Sequence, residues 1–194
     1  MRSVFLAVVV SLHGVAVAHA QAPTAYHGAC DGSAAVALDD NHFIAANDDE
    51  NALRLYRIGV GNAVAEIDLN PVLKPEKKNS GKPKEVDIEG AARVGDRIYW
   101  IGSHARDSGG GKESSRHRFF ATDIGRMAGA PPFILKPTPA YTDLLKDLIG
   151  QLPGLKLKDA SELAPEDANG FNIEGLAAAP DGALVIGLRN PRPD

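Results

Sequence analysis

The sequence predicts an all-β chain, a partial β-propeller of about three four-stranded antiparallel blades with one short inserted helix. Three observations point there. Short apolar or alternating segments, each closed by a tight polar turn, run along most of the chain. Helical spacing of apolar residues is confined to residues 140–152. A six-residue phrase, Asp87-Ile88-Glu89-Gly90-Ala91-Ala92, returns as Asn172-Ile173-Glu174-Gly175-Leu176-Ala177, 85 residues further on.

Residues 1–20 read as a cleavable secretory signal, and residues 21–194 as the propeller domain. Arg2 gives the positive start, residues 4–12 (VFLAVVVSL) the apolar run, and Ala18-His19-Ala20 the small-x-small cleavage pattern. That run is too short for a permanent membrane span, and no second run is long enough. A periplasmic or secreted protein is the expectation. Strands then follow at residues 33–38, 42–47, 52–58 and 63–69, joined by turns at Asp39-Asp40-Asn41, 48–51 and 59–62. Together they form an antiparallel meander. Residues 70–84 hold three prolines and five lysines and read as a solvated loop. Strands resume at 86–94, 97–102, 118–123 and 132–136. Tyr141, Leu144, Leu145, Leu148, Ile149 and Leu152 then form one apolar stripe on a three-turn helix, packed on the sheet and stopped by Pro153-Gly154. Strands at 171–179 and 183–188 close the chain across Pro180-Asp181-Gly182.

The two copies of the phrase agree beyond six residues. Asp96 and Asp181 stand six places past each glycine, and Ile101-Gly102 and Ile186-Gly187 eleven past. A fainter copy starts at Ser33, which aligns with Glu89. Four-stranded units returning at such intervals are the pattern of propeller blades. A sandwich gives no reason for the phrase to return in register.

The stretches DIEGAARVGDRIYWIGSHARDSGGGKESSRHRF (87–119) and NIEGLAAAPDGALVIGLRNP (172–191) resemble the bacterial domain-of-unknown-function family 3616. The resemblance implies an exported propeller, distantly similar to phytase-like and esterase-like propellers that share a D-x-E-G phrase. It implies little about function. One departure stands out: propellers close a ring of four to eight blades, and about three are present here. The expectation is a C-terminal truncation, or a ring completed by self-association through the open edge.

Composition excludes some partners. Net charge is -4, and removing residues 1–20 takes away one arginine and no acid. A mildly acidic chain has no electrostatic footprint for nucleic acid. The single cysteine, Cys30, makes no internal disulfide and reads as a small buried hydrophobe.

Repeat-equivalent positions converge around a propeller axis, so Glu89 and Glu174 form a candidate pair. Two carboxylates facing one channel hold a hard cation such as Ca²⁺, or split acid and base roles. The structural alternative is a clasp to backbone amides of the next blade. A second candidate set is His104, Arg106, Arg116 and Arg118 around a glycine-rich loop, with Asp48 aligned opposite His104 and Arg189 close by. It suits a small anion such as phosphate or carboxylate, while the bland reading is a solvated polar loop. Gly109-Gly110-Gly111-Lys112 is followed by Glu113 and lacks the phosphate-loop pattern; no G-x-S-x-G elbow occurs.

Two functional readings follow. One is a binding or scaffold module with a polar ligand site at the channel mouth. The alternative is a metal-assisted hydrolase of phosphate or carboxylate esters, with Glu89 and Glu174 at the metal and His104 as acid or base. No motif fixes a nucleophile or a closed metal set, which favours the first.

Overall fold

The computed structural model describes residues 23–129 and 133–192; the secretory-signal reading of residues 1–20 lies outside them. The first sheet is a four-stranded antiparallel meander, β1 (Gly32–Asp39), β2 (His42–Asn47), β3 (Ala52–Arg57) and β4 (Ala65–Asp68), in that spatial order. Its first hairpin closes where expected, because the Asn41 N–H donates to Asp39 Oδ1 at 2.8 Å. A second meander repeats the order with β5 (Ile88–Val94), β6 (Arg97–Gly102), β7 (Phe119–Arg126) and β8 (Phe133–Pro137). The third unit has two strands, β9 (Asn172–Ala178) and β10 (Leu184–Asn190).

β1 lies beside β5, and β5 beside β9, so the first strand of each sheet is the innermost. This propeller-like stacking gives two apolar cores rather than one. Between the first and second sheets, Val36, Leu38, Ile44, Leu53 and Leu55 meet Ile88, Ile98, Trp100 and Phe120. The Trp100 indole N–H is satisfied inside that core by Thr122 Oγ1 at 3.0 Å. Between the second sheet and the third unit, Ala92 and Ile101 meet Leu145, Leu157, Phe171, Ile173 and Leu176. Each large side chain buried fully contributes about 1.5–3 kcal/mol. Polar bonds also cross between the sheets. Arg93 Nη1 donates to the carbonyls of Ala37 and Leu38 at 3.0 and 2.8 Å. The Ile173 N–H donates to Ser103 O at 3.0 Å.

Four expectations need correction. Residues 70–84 are not all solvated loop: α1 (Asn70–Leu73) buries Leu73, and Lys77 pairs with Pro83 in an isolated bridge. The predicted helix starts late, as α2 (Leu144–Gln151), because Tyr141 is already paired with Phe119 through two backbone hydrogen bonds of 3.0 and 2.7 Å. Of its stripe only Leu145 is buried. A further short helix, α3 (Leu157–Ala160), supplies Leu157 and Ala160 to the second core, so the insertion holds more than one helix. Cys30 is exposed rather than buried. Among the described residues no helix is long and apolar enough to cross a membrane.

Candidate site at the inner-strand ends

Each inner strand skips one residue at the same register position. In β1, Gly32 pairs with Asn47 and Ala34 with Ala46, leaving Ser33 unpaired. In β5, Ile88 pairs with Gly102 and Gly90 with Ile101, leaving Glu89. In β9, Ile173 pairs with Leu188 and Gly175 with Gly187, leaving Glu174. A bulge of this kind bends the strand and re-aims the extra side chain. The recurring glutamate of the sequence phrase is therefore the bulge residue, and Ser33 occupies the same place in the fainter copy. The glycine after Glu89 has a separate cause. A Cβ on Gly90 would lie 2.6 Å from Leu176 N and 2.8 Å from Gly175 C, so only glycine lets β9 approach.

Three carboxylates meet at this end of the inner strands. Asp48 follows β2, whose last residue faces the start of β1; Asp87 immediately precedes β5; Glu89 stands on the bulge. One carboxylate oxygen from each lies within 4.8 Å of those of the other two. Asp48 also groups with Asp31 and Asp49 on its outer side. The Asp48 Oδ1 is buried and has no hydrogen-bond partner. Asp87 sits in the left-handed region at φ 59°, a conformation that aspartate tolerates better than most residues. Its carbonyl accepts the Ser103 N–H at 2.9 Å, and its Oδ2 is paired with Arg116 Nη1 at 3.1 Å.

The electrostatics follow from that crowding. Burial, then the charges of Asp87, Glu174 and Asp48, push Glu89 up to about 8, with Arg116 opposing. Burial raises Asp87 as well, against the Ser103 hydroxyl and Arg116. Asp48 is raised chiefly by burial, with nearby carboxylates adding to it. One guanidinium does not balance three carboxylates. The set accommodates either a proton or a cation.

The predicted residues divide among different tasks. Glu89 and Asp48 come together, although Asp48 was aligned with His104 rather than with Glu89. Glu174 is near enough to raise Glu89 but is exposed, and accepts from Asn172 Nδ2 at 2.9 Å and Arg189 Nη1 at 3.2 Å. Arg189 also pairs with Glu166 at 2.9 Å. The close carboxylate partner of Glu89 is Asp87, which sequence reasoning did not select. The available signal was the one chemical difference at the head of the repeat, Asp87 against Asn172.

The basic set is fastened to main chain. Arg106 donates to Ser161 O at 2.8 Å and Gly110 O at 2.9 Å. Arg118 donates to Leu73 O at 2.9 Å, Ser114 O at 2.8 Å and His117 O at 3.1 Å. Arg116 bridges Asp87 and the Arg106 carbonyl, the latter at 3.0 Å. These guanidiniums brace the loop through main-chain carbonyls. His104 is 1% exposed, with its Nδ1 against Gly102 O at 2.8 Å and its ring stacked on His117.

Fold and site thus define a propeller-like all-β protein with a carboxylate cluster where its inner strands begin. Residues 31–128 match the family model described as protein of unknown function, DUF3616, and the chain belongs to that family. The match includes Asp48, Asp87, Glu89, His104 and His117, and stops before Glu174 and Arg189. No curated protein matches the chain.

Proposed function

We propose that this is an extracytoplasmic binding module whose inner-strand end takes up a hard divalent cation, Ca²⁺ foremost. The observation that carries the reading is the approach of Asp48, Asp87 and Glu89 to within 4.8 Å from two different sheets. Hard cations of this kind are held by carboxylate and carbonyl oxygens. The buried, unpartnered Asp48 Oδ1 supports it, because an orphaned carboxylate oxygen is costly unless something neutralises it. Glu174 stands at the rim, available to a bound ligand once Arg189 is displaced.

A melt with and without Ca²⁺ tests this. A ligand at 100 times its Kd, bound only by the native state, stabilises by about 2.7 kcal/mol. The expected result is an upward shift of several degrees, lost in Asp48→Asn and Glu89→Gln. No shift at millimolar Ca²⁺ would overturn the assignment.

One observation favours a second reading, ester hydrolysis. A carboxyl held protonated near neutrality, as at Glu89, is suited to general acid catalysis. Phosphate- and carboxylate-ester assays decide it; activity that survives Glu89→Gln would remove Glu89 from that role. Self-association through the free edge of β10 is the accompanying proposal for partners. Light scattering that finds only monomer over a wide concentration range would refute it.

A further inference from the structure

We infer that the hollow between the helical insertion and the end of β10 is a separate binding site for a small amphipathic anion, an aliphatic chain with a charged head. The hollow measures about 770 Å³, within the range of small-molecule sites. It shares no residue with the carboxylate cluster. Its deepest lining is Leu157 and Ala160, 3% and 5% exposed and part of the second core. Leu155, Leu163, Leu188 and Pro191 complete the apolar wall. Leu155 and Leu163 leave 48% and 39% of their surface in water. Bare leucines gathered on one concave wall, rather than scattered singly, mark a place for an apolar ligand.

The local chain explains why these leucines are exposed and yet held in place. Pro153–Leu155 makes one 3₁₀ turn after α2, and Lys156 then takes the left-handed region at φ 50°, turning the chain into α3. That reversal sends Leu157 inward and leaves Leu155 outside. The facing loop is pinned at several points. Asn190, itself buried, donates through Nδ2 to the carbonyls of Pro165 and Asp167, each at 3.2 Å. The Phe171 N–H donates to Ala160 O at 3.0 Å, and Arg106 Nε to Ser161 O at 2.8 Å. A hollow braced in this way is formed before its ligand arrives. Charge then selects the ligand. Lys156 and Arg192 stand exposed in the lining against one acid, Asp159, a net positive mouth on a chain of net charge -4. Among the described residues no ion pair joins Asp159 to either cation. Leucine walls with two cations at the opening fit an aliphatic chain whose anionic head stays at the surface.

The test is calorimetric titration of the purified protein with sodium decanoate, below its micelle concentration and without divalent ions. One decanoate per chain is expected. Each methylene removed, down to octanoate, should weaken binding about fourfold, the worth of one buried CH₂. Decanol, which keeps the chain and lacks the charge, should bind more than about tenfold more weakly. Lys156→Glu combined with Arg192→Glu should weaken decanoate by a similar factor, and so should Leu155→Asp. All three positions are exposed, so the fold tolerates these changes. Ile58→Asp, at a bare position beside the first sheet, controls for general stickiness and should change nothing. Absence of saturable binding, equal affinity for decanol or decyltrimethylammonium, or unchanged binding in Leu155→Asp would each overturn the assignment. So would a dimer, seen by light scattering, that Leu155→Asp dissociates and decanoate does not, because the hollow would then belong to a second copy. With no divalent ion present, none of these outcomes bears on the carboxylate site.

Discussion

Glu89 is crowded by burial and by the charges of Asp87, Glu174 and Asp48, which carry it from 4.5 up to about 8. The native state therefore holds an extra proton between those values. The stability this contributes is complete below the unfolded value and is lost as pH rises through the folded one. The ion-free protein should accordingly melt at lower temperature at pH 8.5 than at pH 7, a window above the titration of the buried His104. Glu89→Gln, which mimics the protonated acid, should flatten that decline and exceed the unmodified protein at pH 8.5 by roughly 1–3 kcal/mol. On the proposed function, the same substitution should also abolish the response to Ca²⁺. A variant that stabilises the empty protein and loses the ligand effect identifies an ion site; parallel pH curves for the two proteins would remove Glu89 from it. At this scale the sequence was partly legible. Repetition exposed Glu89, but Asp87 differs from its counterpart Asn172, and a search for sameness passes over such a residue. Composition gives the arginines their charge, but not the main-chain carbonyls that accept from Arg106 and Arg118.

Among the strands, the paired bulges of β5 and β9 separate two glycines that look identical in sequence. A Cβ at Gly90 meets the β9 backbone at 2.6 Å, whereas the nearest atom to one at Gly175 is Gly187 Cα at 4.0 Å. Gly90→Ala should cost about 1–3 kcal/mol, since overpacking forces the backbone apart. Gly175→Ala should be nearly neutral by comparison. Denaturant melts of the two variants check the contrast, and equal costs would mean that the inner strands do not pack as described. Strands of this chain were readable because alternation and turn residues are local signals: every hairpin of the first meander falls at a predicted turn. Helices were less so. Leu144, Leu145, Leu148 and Ile149 of the apolar stripe do pack on the second core, yet Tyr141 is claimed by Phe119 across the sheet, a partner more than twenty residues away. No window of local sequence contains that pairing.

For the molecule as a whole, each core belongs to a junction between neighbouring sheets rather than to one centre. The first junction is sheet against sheet; the second sets a four-stranded sheet against two strands and short helices. Opening free energies should follow that difference. Amide exchange in β9 and β10 should be faster than in β2, β3 and β6, and Phe171→Ala, which removes a ring only 1% exposed, should accelerate it further while leaving β2 and β3 protected. Uniform protection throughout would show a single cooperative unit instead. The repeated bulge also bears on how such a chain changes over generations. Its extra residue stands outside the ladder of main-chain bonds, so a new side chain there leaves the register of the sheet intact. Ser33 and the two glutamates fill one slot in three ways of being used: tethered to a neighbouring carbonyl, gathered with other acids, and turned outward to an arginine. Duplication followed by single exchanges at that slot would let a lineage change the side chain displayed there without having to reinvent the scaffold that presents it.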